Sequence, residues 1–185
     1  MTPASPTPPA FYYLTNFERA LAWLGERYDD LLDHREQAFV RDFALLPQAS
    51  RALLVRMLMR SGSDFRASKL AYDEIGCTLD AAAPLVALGW VDPAPALTLD
   101  ELFALSTKAD LLRIFPSLAA HAGERKPEWL ERLRPAHDAA QPLDAWCAQA
   151  GDRVLRVTVG AQCDRLRLMF FGNLHQDWSE FVLAD

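Results

Sequence analysis

Ser50-Arg51-Ala52-Leu53-Leu54-Val55-Arg56-Met57-Leu58-Met59-Arg60 opens the stretch that decides the fold. Leu53, Leu54, Met57 and Leu58 recur at helical spacing, with Ser50 placed to cap the start and Gly62 to close the helix. Asp64-Phe65-Arg66-Ala67-Ser68-Lys69-Leu70 then reads as a brief strand leading into a short helix over residues 72–75, turned by Gly76. Thr78 caps a further helix to Leu88, and Gly89-Trp90-Val91 starts a small hairpin, with Pro93 and Pro95 in it or just beyond it. Helix, short helix, glycine turn, helix and wing is the order of a winged helix-turn-helix. Pro84 lies inside the last helix, where a central proline kinks the chain.

Upstream, Leu14, Phe17, Leu21, Leu24, Tyr28 and Leu31 predict an amphipathic helix that ends at Asp33 or His34. Phe39, Phe43 and Leu46 predict a second helix, stopped by Pro47. Residues 1–10 hold Pro3, Pro6, Pro8 and Pro9 and no core-forming side chain, which predicts a disordered tail. Downstream, Leu99, Leu102 and Leu105 share one helical face, and Thr107 can cap a second helix bearing Leu111, Leu112 and Phe115. A third short helix follows Gly123, around Trp129-Leu130-Glu131-Arg132-Leu133. Two short helices, a loop and a leucine-spaced helix over 98–135 resemble the SAP motif, a small DNA-binding module. Beyond Pro135, helices are expected around Asp144–Ala150, Arg165–Phe171 and Asp177–Ala184, and a strand or extended segment over Arg153–Val159. The chain stops at Asp185 inside an apolar-periodic segment, so the natural protein is expected to continue.

The formal charge of −6 excludes a uniformly basic nucleic-acid coat and any general attraction to anionic membranes. The distribution is uneven. Residues 50–72 carry Arg51, Arg56, Arg60, Arg66 and Lys69 against Asp64 alone, whereas residues 73–105 carry acids and no Lys or Arg. A second basic island (Lys108, Arg113, Arg125, Lys126, Arg132, Arg134) is diluted by acids. Cations on one face of a winged helix contact phosphates without reading bases; the competing reading is ordinary solvated helix charge. Cys77, Cys147 and Cys163 are odd in number and far apart, which argues against a disulfide framework or a zinc site. With no signal peptide and no membrane-length apolar run, a soluble intracellular protein is expected. No phosphate loop, nucleophile elbow or His-Glu-x-x-His occurs, and His34, His121, His137 and His175 are scattered. Glu124-x-Lys126 matches the tail of a metal-dependent nuclease signature, but Pro127 follows at once and the context is helix and loop, so it is set aside.

Phe11-Tyr12-Tyr13-Leu14-Thr15-Asn16-Phe17, the 52–60 and 65–76 segments, Leu85-Val86-Ala87-Leu88-Gly89-Trp90-Val91 and Phe170-Phe171-Gly172-Asn173-Leu174-His175-Gln176-Asp177-Trp178-Ser179-Glu180-Phe181 jointly resemble the N-terminal half of the Fanconi-associated nuclease family, bacterial branch. The resemblance implies the DNA-binding part of a structure-specific nuclease with 5′-flap endonuclease and 5′–3′ exonuclease activity, of phosphodiesterase I type, serving interstrand crosslink repair. It implies a mostly α-helical chain: tail 1–10, N-terminal helices 11–49, winged-helix module 50–97, SAP-like module 98–135, and the start of a TPR-type helical region at 136–185, cut short. The catalytic VRR-NUC domain, with Mg or Mn, would lie outside this chain; no catalytic or metal residue and no cofactor is assigned within it, and whether this chain is itself an enzyme is left open. Implied partners are branched or flap DNA and the protein's own nuclease domain, with no membrane. Implied localisation is cytoplasmic and nucleoid-associated in a bacterium, nuclear in a eukaryote. The DNA-binding residues expected are Arg51, Arg56, Arg60, Arg66, Lys69, Lys108, Arg125 and Lys126. The alternative is a protein-interaction scaffold that uses the winged helix for interdomain packing.

Overall fold

Leu14, Phe17, Leu21 and Leu24 lie buried on one face of α1 (Tyr12–Tyr28) in the computed structural model, which describes residues 9–172. The helix stops one turn earlier than its apolar spacing predicts. A 3-10 turn over Asp29–Leu31 follows, leaving Leu31 58% exposed. Asp33 starts α2 (His34–Leu45) instead of merely ending α1: its side chain accepts from the Glu36 amide while Glu36 accepts from the Asp33 amide. This reciprocal cap satisfies donors that a helix start otherwise leaves bare. Phe39 and Phe43 face inward from α2; the Phe43 ring lies 5.2 Å from Phe17, and the Phe39 ring 4.6 Å from Trp90.

The next helix, α3 (Gln48–Leu58), begins before Ser50. Pro47, fixed at φ −55°, stands at its N-cap, so Ser50 is buried inside the helix and caps nothing. Strand β1 (Asp64–Arg66) follows, then a 3-10 turn over Ala67–Lys69. Residues 73–75 form a turn rather than the expected short helix. The recognition-position helix α4 (Thr78–Ala87) carries Pro84 within it and buries Ala81, Ala82 and Leu85. Its N-cap is Cys77; the Thr78 hydroxyl donates instead to the Leu70 carbonyl at 2.8 Å. Gly89 (φ +73°) makes the left-handed turn into β2 (Val91–Asp92).

No strand follows β2 directly. The chain runs through α5 (Leu99–Leu105), α6 (Lys108–Ile114), a 3-10 segment over Pro116–His121, α7 (Lys126–Leu133) and the single turn α8 (Leu143–Trp146) before β3 (Val154–Val157) arrives. The sheet order is β1-β3-β2, with β1 and β3 antiparallel in the register Asp64↔Arg156, Phe65↔Leu155 and Arg66↔Val154. A winged helix closes its wing with the strand next in sequence; here the connection between the two wing strands holds an entire helical module. The last described helix is α9 (Gly160–Phe171), ended by Gly172.

The described residues fall into two units. One takes the chain up to Ser63, Leu70–Val91 and the described residues from Val157 on; the other takes Asp64–Lys69 and Asp92–Arg156. The core of the second unit gathers Leu97, Leu102, Phe103, Leu111, Phe115, Leu118, Trp129, Trp146 and Val154. Residues 136–156, which the sequence reading grouped with a following helical region, lie in this second unit. Of the expected tail only Pro9 and Ala10 are described, and the helix expected over 177–184 lies outside the described residues.

Two capping boxes fix the second unit's first helices: Thr98 with Glu101 on α5, and Thr107 with Asp110 on α6. Replacing Thr107 by alanine removes the hydroxyl that accepts from the Asp110 amide at 3.1 Å. The expected cost is about 1 kcal/mol, read as a lower urea midpoint at unchanged m-value. An unchanged midpoint contradicts the assignment.

Candidate nucleic-acid interface

Several of the basic side chains singled out in the sequence are held by internal partners, and several are exposed. In the first unit, Arg51 donates through Nε to the Leu46 carbonyl at 3.0 Å and pairs with Glu18. Arg56 lies between two aromatic rings, its guanidinium carbon 4.0 Å from the Tyr13 centroid and 4.6 Å from that of Tyr72. Its Nη2 reaches the Glu74 carboxylate at 2.7 Å, and the Tyr13 hydroxyl donates to the same oxygen at 2.8 Å. Burial pushes the Tyr13 hydroxyl's pKa well up, and the Glu74 carboxylate adds to the shift. Burial opposes the charge on Glu74, but bonds from Arg56 and Tyr13 outweigh it and keep the carboxyl below its usual range. This knot ties α1, α3 and the turn at 73–75 together, so Arg56 serves the fold. Arg60, two residues beyond the end of α3, is exposed.

In the second unit, Arg66 bridges two carboxylates: Nη1 to Asp110 at 2.8 Å and Nε to Asp152 at 2.9 Å. Asp110 also binds Arg113 and the Thr107 amide, and Asp152 also accepts from the Ser68 amide at 3.1 Å. Burial opposes ionisation of Asp110, yet the Thr107 amide and hydroxyl, Arg66 and Arg113 together hold it well below the carboxylate range. Lys108 donates to the Ala122 and Glu124 carbonyls at 3.1 and 2.7 Å, with its ammonium 4.5 Å from the centre of the Trp129 ring. Lys126 donates to the Phe103 and Ser106 carbonyls, both at 2.7 Å, at the end of α5, where cations near the last carbonyls are favoured. Glu124 pairs with Arg132, so the Glu124-x-Lys126 pair is divided between two structural tasks.

Lys69 and Arg125 are exposed. The Ala67 amide donates to the Arg153 carbonyl at 2.8 Å, which brings Lys69 and the exposed Arg153 to one end of the β1–β3 ladder. The sequence reading passed over Arg153, because an arginine beside an alternating apolar segment reads as ordinary strand patterning. Among the described residues no group of three or more His, Cys, Asp or Glu side chains is placed to hold a metal ion. Cys77, Cys147 and Cys163 are free thiols, and burial pushes that of Cys163 well up. None of the described helices is long and apolar enough to cross a membrane.

Strand order, helix order and the capped leucine-rich helices define a two-module chain: a winged helix-turn-helix whose wing connection carries a SAP-type module. The family model described as "FAN1, HTH domain" matches residues 11–92, and that described as "Fanconi anemia-associated nuclease SAP domain" matches residues 96–146. The chain belongs to the Fanconi-associated nuclease family. It is 55% identical over 184 residues to the Fanconi-associated nuclease 1 homolog of Pseudomonas aeruginosa, covering 100% of this chain and 33% of that protein. It is 24% identical over 186 residues to the homolog from Arabidopsis thaliana, covering 94% of this chain and 21% of that protein. The crystal structure of paFAN1 bound to 2nt 5′flap DNA with gap superposes with a TM-score of 0.91 at 54% identity, over 96% of this chain and 32% of that one. A second paFAN1 structure, bound to 1nt 5′flap DNA with gap, gives 0.89. The chain thus spans a third or less of the length of these relatives.

Proposed function

We propose that this chain is the DNA-holding part of a structure-specific nuclease acting on 5′-flap or branched DNA in repair, including repair of interstrand crosslinks. The observation that supports this most is the 0.91 TM-score, at 54% identity, with a paFAN1 structure bound to flap DNA. Phosphodiester hydrolysis belongs to residues outside this chain. There a divalent ion, Mg or Mn, would polarise the phosphoryl group; no described residues here are arranged for that task. Within this chain the exposed cations, Arg60 in the first unit and Lys69, Arg125 and Arg153 in the second, contact backbone phosphates. Arg51, Arg56, Arg66, Lys108 and Lys126 act one step back, by fixing the modules that carry those contacts. Localisation follows the substrate: the nucleoid in a bacterial cell.

The test is fluorescence anisotropy with a labelled 5′-flap duplex. The double reversal Lys69→Glu and Arg125→Glu is expected to weaken binding by about tenfold or more and to reduce the salt slope by about two. The loss should be equal for flaps of different sequence, because phosphates carry no sequence information. Unchanged affinity overturns the assignment of these residues. Absence of DNA binding together with capture of the separate nuclease domain would instead favour the scaffold role.

A further inference from the structure

Within the second unit, α5, α6, the chain around α8 and the start of β3 line a cavity of about 310 Å³. Leu97, Leu102 and Val154 form its floor and are buried. Leu112, Ile114 and Leu143 wall it and are only half-buried, so the module leaves apolar surface uncovered there. Arg113 and Gln149 are exposed and mark the opening. The charged side chains that line the cavity balance, Arg66 and Arg113 against Asp110 and Asp152. They also pair with one another: Arg66 reaches both acids, and Arg113 pairs with Asp110. The site therefore calls for neither a free anion nor a free cation. By contrast, the Gln149 side-chain amide and the Ser106 hydroxyl have no hydrogen-bond partner among the described residues.

We propose that this cavity takes a nucleobase. A base is uncharged, with apolar faces and a polar edge. The leucine and isoleucine walls cover the faces, and Gln149 and Ser106 offer both donors and acceptors to the edge. The volume lies at the lower end of small-ligand sites, about 300–1,000 Å³, which suits one base and not a cofactor. Two cations stand at its border. Arg113 has a side chain 70% exposed, and the exposed Arg153 directly follows Asp152 in the chain. Cations for the backbone beside a surface for the base is the arrangement by which single strands are held. That the base belongs to an unpaired strand rests on the DNA-holding role above; a free nucleoside carries the same chemistry. An unpaired flap base reaches such a site without any base pair being opened. Nothing in the sequence singles out Ser106 or Gln149, because both lie in short connections that only the fold brings to one cavity.

The test uses the 185-residue chain with labelled leucine and isoleucine methyl groups, followed by NMR. The titrations, at constant ionic strength, add deoxyadenosine or thymidine, a 5′-flap duplex, or the same duplex with the flap bases removed and the phosphates kept. Saturable shifts at Leu112, Ile114 and Leu143 are expected with the nucleosides and with the intact flap, and not with the abasic flap. Loss of the flap bases should weaken duplex binding about tenfold. Gln149→Ala, at an exposed position, should weaken the nucleoside response about threefold, the contribution of one neutral hydrogen bond. A response to the intact flap marks a strand base as the source, and a response to the nucleosides alone marks the free nucleoside. An abasic flap that binds and shifts these methyls as the intact flap does overturns the lodging of a strand base. Silence of these methyls towards nucleosides and flap, with duplex-induced shifts elsewhere, overturns the cavity and leaves the DNA-holding role standing. A nucleoside response with no duplex binding anywhere does the reverse, and silence throughout overturns both.

Discussion

Replacing Arg66 by alanine is expected to lower stability by about 3 kcal/mol, the cost of taking from two largely desolvated carboxylates the cation they share, with Asp110 keeping Arg113 and Asp152 keeping only its Ser68 and Arg153 bonds. Arg66 spans Asp110 and Asp152 from the end of β1, and its side chain is 21% exposed against 13% and 6% for the two acids. Arg66→Lys should recover little, because one ammonium cannot reproduce a fork that points at two carboxylates. The same site predicts a pH dependence. Asp110 and Asp152 are held below their ordinary range in the folded chain, despite burial that opposes their charge, by the Thr107 and Ser68 bonds and by Arg66. Their stabilisation is fully present above the unfolded aspartate pKa of about 4 and is lost as pH falls through the lower folded values. Urea unfolding at pH 7 and pH 3 should show a large acid loss in the parent chain and a smaller one in Arg66→Ala. An alanine variant within about 0.5 kcal/mol of the parent at pH 7 contradicts the account, since that is the effect of an ordinary surface substitution.

Trp129→Ala is expected to cost about 4 kcal/mol. The side chain is 0% exposed at the centre of the second unit's core. Its indole Nε1 donates to the His121 carbonyl at 2.8 Å, and its face receives the Lys108 ammonium. Truncation leaves a large cavity, a lysine without its ring and a His121 carbonyl that keeps only the Glu124 amide. Trp129→Phe keeps most of the volume and loses the hydrogen bond, so about 1–2 kcal/mol is expected. Hydrogen exchange of the α5, α6 and α7 amides should accelerate in the order parent, phenylalanine variant, alanine variant. Equal protection in all three would remove Trp129 from its central place.

The SAP-type module was legible because its signals are local. Thr98 with Glu101 and Thr107 with Asp110 are pairs three residues apart, and the buried Leu99, Leu102 and Leu111 follow one helical period. The winged helix was legible up to Val91 for the same reason. Beyond that point the wing depends on β3, which arrives only at Val154, and no local pattern announces a partner across an inserted module. Ser50 and Thr78 illustrate a different limit. Both have good capping chemistry, yet Pro47 starts α3 earlier and Leu70 claims the Thr78 hydroxyl. The basic island at 50–72 was legible as charge but not as exposed charge. Glu18, Glu74, Asp110 and Asp152, all distant in sequence, fold against Arg51, Arg56 and Arg66. A cation's availability to DNA is a property of the folded neighbourhood, and a linear tally cannot contain it.

Holding DNA through its phosphates, as proposed for this chain, ties affinity to salt. The most direct measurement is the affinity of the unmodified chain for a 5′-flap duplex across about 50–200 mM salt. Log affinity is expected to fall linearly with log salt, with a slope set by a few phosphate contacts and the same for unrelated sequences. A flat salt dependence, or no binding at the lowest salt, would contradict it.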